Sequence, residues 1–345
     1  MRDTNEATPV RLAHLTDVHL PNLPAFWPQH WNVKRVLGWL NWQRRRRFVH
    51  KRETVDKLVA HLKLEAPTHV LVSGDLINIG LPQEYKRAAD WLADLGTPES
   101  VSIIPGNHDI YTPVPARTGI ARWTDYLAGP DHDLPERRSL ELGLENRDFA
   151  DRIFPHVRRI GPVDLISLNS AVPTRPGDAS GFIGPEQMEG FATALKESRA
   201  AGRFRLVMLH HPPLSDQATM GRGLRDTDAF RNVLEKHGAE LVIFGHNHVH
   251  IERWLDGPDG QFPLVGLSSA TVSSAFGHED LAAYQVYEIA SVGVHAASRF
   301  KLHVKRYGLR AAGGDVVELA SYPLTPDRAD STKQKGTVIE AVVAD

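Results

Sequence analysis

The chain has 345 residues, enough for one large α/β unit or about two domains. With 41% apolar and 24% charged residues it has globular composition, which excludes a disordered chain, a collagen-like fibre and a disulfide-stapled miniprotein. Lysine and arginine number 40 against 42 acidic residues, and this net charge of −2 gives no whole-chain case for specific nucleic-acid binding. Cysteine is absent, so disulfides, thiolate metal sites and cysteine nucleophiles are excluded, and any metal must be held by nitrogen and oxygen. No apolar run approaches the roughly 20 residues needed to span a bilayer. The polar opening MRDTNEATPV lacks the apolar core of a secretory signal, so a cytoplasmic location is expected. Histidine is abundant, with 18 residues, and its placement decides the reading.

In chain order, strand-like runs rich in Val, Ile and Leu alternate with segments of helical period, the pattern of an α/β protein. Val10–Leu15 ends in Asp17-Val18-His19. A helix is expected around Val55, Leu58, Val59 and Leu62, and His69–Val72 then leads into Gly74-Asp75. A second helix follows Pro82 through Tyr85, Ala88, Ala89 and Leu92, and Val101–Ile104 leads into Gly106-Asn107-His108-Asp109. Val163–Leu168 precedes a third helix that opens at Pro185, with Met188, Phe191, Ala192 and Leu195 on one face. Arg205–Leu209 leads into His210-His211-Pro212-Pro213. A fourth helix, capped by Asp226 or Thr227, precedes Leu241–Phe244 and Gly245-His246-Asn247-His248. Further strands are expected at Pro263–Leu267, Tyr284–Ile289 and Phe300–Tyr307. The organisation reads as one domain over 1–324 with an insert at 21–52, and a tail over 325–345 whose Val338–Val343 is apolar enough to dock.

Five strand-like runs thus end in polar clusters of one chemical character. Ligands of open α/β folds bind beyond the carboxyl ends of strands, so five such strands in one sheet would deliver these side chains into one crevice. The pooled donors are carboxylates, imidazoles and a carboxamide, too many for one tetrahedral ion and suited to two that share a carboxylate. Gly74, Gly106 and Gly245 would let the backbone turn sharply beside them. Asp-x-His and His-x-His place residues i and i+2 on one side of an extended chain, facing one ion. His14, His61, His237, His295 and His303 lack such context and read as structural or surface residues, and His250 as a strand-face residue. Neither a Gly-x-Ser-x-Gly elbow nor a Walker-type Gly-Lys-Ser/Thr is present.

The ordered set Asp-x-His, Gly-Asp, Gly-Asn-His-Asp, His-x-Pro, Gly-His-x-His resembles that of the calcineurin-like metallophosphoesterases. Within them it is most similar to the bacterial class III cyclic-nucleotide and glycerophosphodiester phosphodiesterases, over roughly residues 10–310. The resemblance implies a four-layer α/β/β/α sandwich with two mixed sheets and a dinuclear centre at the strand ends. It implies that Asp17, His19, Asp75 and His248 hold one metal and that Asp75, Asn107, His210 and His246 hold the other. The two ions would be Mn, Fe, Zn or Co, and a hydroxide bridging them would attack a small phosphodiester. His108 would stay off the metals and, held protonated, act as acid or electrostatic catalyst. Asn78, Asp109 and His211 are expected beside the ligands or facing substrate. Phosphoprotein phosphatases of this superfamily carry Gly-Asp-x-x-Asp-Arg-Gly, whose second acid orients the catalytic histidine. Here Gly74-Asp75-Leu76-Ile77-Asn78-Ile79-Gly80 lacks both that acid and the arginine, which argues for diesters over phosphoproteins.

The insert is the strongest local departure in composition. Residues 21–52 hold four of the seven tryptophans (Trp27, Trp31, Trp39 and Trp42) and eight cations, from Lys34 and Arg35 through Arg44–Arg47 to Lys51 and Arg52, with no acid. Val33, Val36, Leu37 and Leu40 have helical spacing. Three roles are open: a cap whose apolar stripe packs on the sheet edge, a lid whose cations attract substrate, and a peripheral contact with an anionic membrane surface. The last points to a lipid-linked pyrophosphohydrolase or phospholipid diesterase at the inner membrane surface. A non-catalytic scaffold is disfavoured because all seven ligand positions and His108 are present.

Overall fold

The computed structural model describes residues 8–130, 143–217, 220–274, 278–292 and 299–326. Strands β1 (Val10–Leu15), β2 (His69–Val72) and β3 (Val101–Ile103) pair in parallel, β1 with β2 in the register Leu12↔His69. The next strands are β4 (His156–Ile160), β5 (Val163–Ser167), β6 (Phe204–Met208), β7 (Leu241–Phe244), β8 (Ile251–Gly257) and β9 (Gly260–Gly266). They form a second mixed sheet of order β4-β5-β6-β7-β9-β8. β10 (Ala283–Ser291), β11 (Phe300–Leu309) and β12 (Val316–Pro323) return to the first sheet, whose order is β12-β11-β10-β1-β2-β3. β10 docks antiparallel on β1, with Val10 opposite Ile289. The two mixed sheets and their helices give the α/β architecture that the motif set implied.

Period-2 alternation explains how the second sheet is sandwiched. Leu206 and Met208 of β6 join the large core shared with the first sheet, together with Leu12, Val70 and Leu241. Val207 and Leu209 face the other way, into a core with Phe191, Leu195, Phe230 and Leu234. The last four lie on α7 (Pro185–Ala200) and α8 (Thr227–His237), the seventh and eighth α-helices among the described residues. The six before them are α1 (Val33–Asn41), α2 (Arg47–Val49), α3 (Arg52–Leu64), α4 (Pro82–Leu95), α5 (Thr124–Ala128) and α6 (Asn146–Ile153). The four expected amphipathic helices are therefore α3, α4, α7 and α8. Pro82 and Pro185 sit in the first turns of α4 and α7, where a missing N–H costs nothing.

Two local expectations are corrected. Asp226 occupies the N-cap of α8, but its carboxylate is not the cap: it accepts from the backbone N–H of Ile183 and Gly184, while Thr227 Oγ1 donates to Leu224 O. The five polar clusters also do not follow strands of one sheet. Three follow β1, β2 and β3 and two follow β6 and β7, so the crevice lies where the carboxyl ends of two sheets meet. Among the described residues no helix is long and apolar enough to cross a membrane. His295, the residues from 327 onward and Val338–Val343 lie outside the described residues.

Candidate metal centre

Backbone bonds lock the loops after the strands together. Asp17 N–H donates to Gly74 O at 3.0 Å, His19 N–H to Asp75 O at 2.8 Å and Gly245 N–H to His210 O at 3.1 Å. Asp17, His19, Asp75, His246 and His248 all have positive φ, from 37° at His19 to 71° at His246. This corrects the reason given for Asp-x-His and His-x-His: the chain is not extended there, and left-handed turns aim alternate side chains inward. Five non-glycine residues in this sparsely allowed region mark a strained, function-bearing site. Of the flanking glycines, only Gly74 needs its φ of +100°. Gly106 and Gly245 have another cause: a Cβ on Gly106 would overlap Asp75 Oδ1, and one on Gly245 would overlap Thr16 Oγ1.

Asp17, His19 and His248 converge on one side of the crevice. Asp17 Oδ2 accepts from Thr16 Oγ1 and His246 N–H, which leaves Oδ1 buried without a donor and 3.2 Å from His248 Nε2. His19 Nδ1–H donates to Ile77 O, and His248 Nδ1–H is held by Glu279 Oε1 at 3.1 Å. Both Nε2 lone pairs therefore point inward, 3.3 Å apart. On the other side, His210 Nδ1–H donates to Ser73 O, and its Nε2 faces Asn107 Oδ1 at 3.1 Å and Asp75 Oδ2 at 3.4 Å. His246 Nδ1 lies 2.9 Å from the same Asn107 oxygen. Asp75 Oδ2 sits between the groups, 3.7 Å from His19 Nε2 and 3.4 Å from His210 Nε2.

These residues fit metal ions. Acceptor lone pairs meet acceptor lone pairs, an arrangement that repels unless cations sit among them. Ligands about 2.0–2.2 Å from an ion lie about 3.0–3.6 Å from one another, which matches most of the separations above. Burial lowers the His210 ring, but Asp75 overrides it and pushes the ring up to about 9. Burial likewise opposes charge on Asp75, yet His210 and His108 hold its carboxyl well below the usual range. The electrostatics of the pocket thus call for positive charge at its centre.

His108 lies beside these groups, its ring edge-on to His19 with centroids 4.8 Å apart. Its backbone N–H donates to Asp75 Oδ1 at 2.7 Å, and its Nδ1–H is taken by the backbone carbonyl of Asn78. A main-chain oxygen therefore does the orienting, and the Asn78 side chain is engaged elsewhere, donating to Leu20 O. Asp109 ties two loops together, accepting from the backbone N–H of Asp75, Leu76, Ile77 and Gly106. Burial and the Asp75 charge push its carboxyl up, and the Gly106 and Ile77 donors oppose them. His211 is fully buried beside His246, with Nδ1 on Ser170 Oγ and Nε2 unpartnered. Burial first and the Arg46 charge second push the His108 ring down to about 3.

Arg46 comes from the insert, which covers the mouth of the site rather than a sheet edge. Of the stripe assigned to a cap, Val33 and Leu37 are 70% and 49% exposed and Val36 and Leu40 half-buried, and the one buried residue of α1 is Arg35. Arg35 donates to Ile79 O, Gly80 O and His30 O, which fastens the insert to the Gly-Asp loop. Hydropathy spacing could not reveal this, because main-chain acceptors draw the cation inward. At the far end His50, 3% exposed, bonds Thr271 Oγ1 at 2.8 Å and packs edge-on against His19 and His248. Arg46, His50 and Glu279 are the site residues that the motif reading missed. Glu279 follows no motif, and Arg46 is one of four consecutive arginines with no local mark.

Of the histidines read as structural, His14 bonds Ser73 Oγ, His61 bonds Tyr284 Oη and His303 bonds Ser321 Oγ. His237 ends α8, and His250 precedes β8.

The profile of the family described as calcineurin-like phosphoesterase matches residues 10–250. A probable cyclic nucleotide phosphodiesterase of Synechococcus sp. (strain WH7803) is 32% identical over 151 residues, which cover 43% of this chain and 53% of that protein. A glycerophosphodiester phosphodiesterase of Enterobacter lignolyticus (strain SCF1) is 28% identical over 192 residues, 53% of this chain and 57% of that one. The matches thus span just over half the length of these curated relatives. In fold, the chain is similar to a dimetal phosphatase from Danio rerio, with a TM-score of 0.51 and 14% identity over 90% of this chain and 98% of the other. Two buried donor clusters at the ends of two mixed sheets, together with the profile match over most of the chain, place this protein in the calcineurin-like phosphoesterase family.

Proposed function

We propose that the protein is a dinuclear metal-dependent phosphodiesterase that converts a small phosphodiester and water into a monoester and an alcohol. Asp17, His19, Asp75 and His248 would hold one ion, and Asp75, Asn107, His210 and His246 the other. The observation that carries this reading is the convergence of imidazole and carboxylate lone pairs around Asp75 Oδ2. Two such ions supply a water-derived nucleophile at neutral pH and positive charge for the phosphoryl oxygens.

The remaining work falls to the chain's own groups. Asn78 O and the Asp75 carboxylate fix His108 at both its ring and its backbone, so that Nε2 is the atom left to meet the leaving oxygen. Arg46 occupies that atom here, at 3.0 Å, and a proton can be held at Nε2 only once the guanidinium moves off. The test is turnover with added Mn²⁺ on 3′,5′-cyclic nucleotides, glycerophosphodiesters and bis(p-nitrophenyl) phosphate, against p-nitrophenyl phosphate. A higher kcat/KM on the monoester than on the bis-ester would overturn the diester reading.

A membrane-surface substrate is the second reading, favoured by where the exposed apolar side chains fall. Trp27, Trp31, Val33, Leu37 and Phe48, each 49–70% exposed, all lie on the insert, interleaved with exposed Arg44 and Arg47. An apolar surface with basic residues suits an anionic leaflet, at about 1 kcal/mol per engaged cation. Co-sedimentation should show binding to anionic vesicles at low salt that fades as salt rises, and R44Q/R47Q should weaken it. Equal behaviour with neutral vesicles would leave the insert as a lid alone.

A further inference from the structure

The geometry points to Arg46 as a catalytic residue: the insert supplies from outside the Gly-Asp loop a guanidinium that binds the nonbridging phosphoryl oxygens beside His108. This inference rests on the phosphoesterase reading above and deepens it. The loop from Gly74 to Gly80 carries no arginine, so the cation beside the catalytic histidine has to come from elsewhere.

Three observations support it. Arg46 Nη2 lies 3.0 Å from His108 Nε2, and since His108 Nδ1–H is committed to Asn78 O, Nε2 accepts and the guanidinium donates. Among the described residues no carboxylate stands within ion-pair distance of Arg46. Its nearest acids are otherwise engaged, Asp75 with His210 and His19, and Glu279 with His248 and Arg45. A partly buried cation without a counter-ion is costly, and an arriving oxyanion relieves that cost. Finally, Arg46 lines a cavity of about 100 Å³ with His50, Arg222, Asn247, His248 and Glu279, directly beside the Asp17/His19/His248 cluster.

The surrounding chain holds Arg46 in place. It ends a π-helical turn, Trp42–Arg46, between α1 and α2. Such turns insert a residue into the helical ladder and recur at functional sites. Arg46 thereby faces the crevice while Arg44 and Arg47 remain exposed. Both ends of the insert are fastened, by Arg35 on the Gly-Asp loop and by Lys51 N–H on Thr271 O and Ser273 N–H on Val49 O. Gly38 packs so closely on Tyr111 and Ile79 that a side chain there would displace them. Arg46 therefore needs little reordering to move from His108 to two phosphoryl oxygens, and the same shift frees His108 Nε2 for the leaving oxygen. A planar fork is required for two oxygens, so lysine is a poor substitute.

The experiment compares wild type, R46Q, R46K, R46A and the exposed-residue control R231Q on α8, all loaded with Mn²⁺, on bis(p-nitrophenyl) phosphate and in calorimetric titration with inorganic phosphate. R46Q should keep two ions per chain and an unchanged melting temperature, lose about 10²–10³ in kcat and bind phosphate about tenfold or more weakly. R46K should recover little, R231Q should match wild type, and millimolar guanidinium should restore part of the activity of R46A. Wild-type phosphate affinity and kcat in R46Q, or a loss that merely follows lost metal, would overturn the assignment. The phosphodiesterase reading fails differently, by a metal-loaded wild type that turns over no phosphoester at all.

Discussion

Glu279 offers the sharpest test of how the centre is built. It lies beyond the motif region in sequence, yet its Oε1 holds His248 Nδ1 at 3.1 Å and so fixes the tautomer that turns Nε2 toward Asp17 and His19. Glu279→Gln keeps an oxygen acceptor but removes the negative charge, and Glu279→Leu removes both. Carboxylates behind a ligating histidine typically contribute 10–100-fold in metal affinity, about 1.4–2.7 kcal/mol. The glutamine variant belongs near the lower figure, because the hydrogen bond survives and the carboxylate is partly reached by solvent, with its side chain 12% exposed. The leucine variant belongs near the upper one. Only one of two metal equivalents should weaken, since Glu279 bonds His248, whereas His210 takes its support from Ser73 O. Stepwise metal titration followed by elemental analysis reads both equivalents, and thermal melting controls for folding. Equal weakening of the two, or of neither, would refute the assignment of Glu279 to the His248 ion alone.

Asp75→Ala should strip metal from both positions, because Asp75 Oδ2 faces His19 on one side and His210 on the other; elemental analysis showing two retained ions would end the shared-ligand argument. His108→Ala should retain metal and lose about 10²–10⁴ in rate, with a smaller loss on substrates with good leaving groups. Asn78→Ala should cost far less in kcat than His108→Ala, since the backbone carbonyl at 78 does the orienting and the side chain's bonds go to Leu20 O and Glu84. His69, buried on Ser102 Oγ, is pushed down to about 3 by burial and by Arg158, so the unfolded chain takes up its proton first as pH falls. Its contribution to stability is intact above about pH 6.5 and declines below it, by about 2 kcal/mol at pH 5. Denaturant melts of His69→Gln between pH 7 and 5 should accordingly show a shallower decline than wild type.

The five polar clusters were legible because four of them follow short, fully buried runs and the fifth follows a run whose last four residues are buried, and burial on both faces leaves a strong signature in sequence. His69–Val72 and Leu241–Phe244 were readable to the residue for that reason. β4, β8 and β12 were not, since each is partly exposed and mixes charge into the strand, as in Val157-Arg158-Arg159. The division of the five clusters between two sheets was invisible to local pattern, because strand order is a property of long-range pairing. The same holds for His50 and Glu279, whose partners Thr271 and His248 are distant in sequence.

The insert shows most plainly why composition alone misleads. Val33 and Leu37 have the spacing of a buried stripe, yet Arg35 is the residue that α1 buries. An arginine can displace apolar neighbours from an interface when its donors meet acceptors that would otherwise lack partners. Ile79 O and Gly80 O are such acceptors, and they end the loop that runs from Asp75 through Asn78. Arg35 thereby braces the loop whose Asn78 carbonyl orients His108, while Arg46, further along the same insert, meets the opposite nitrogen of that ring. One segment thus acts on both nitrogens of His108, through the loop at Nδ1 and directly at Nε2. Its cations divide accordingly: Arg35 and Arg46 belong to the centre, and Arg44 and Arg47 are left to whatever surface the exposed tryptophans meet.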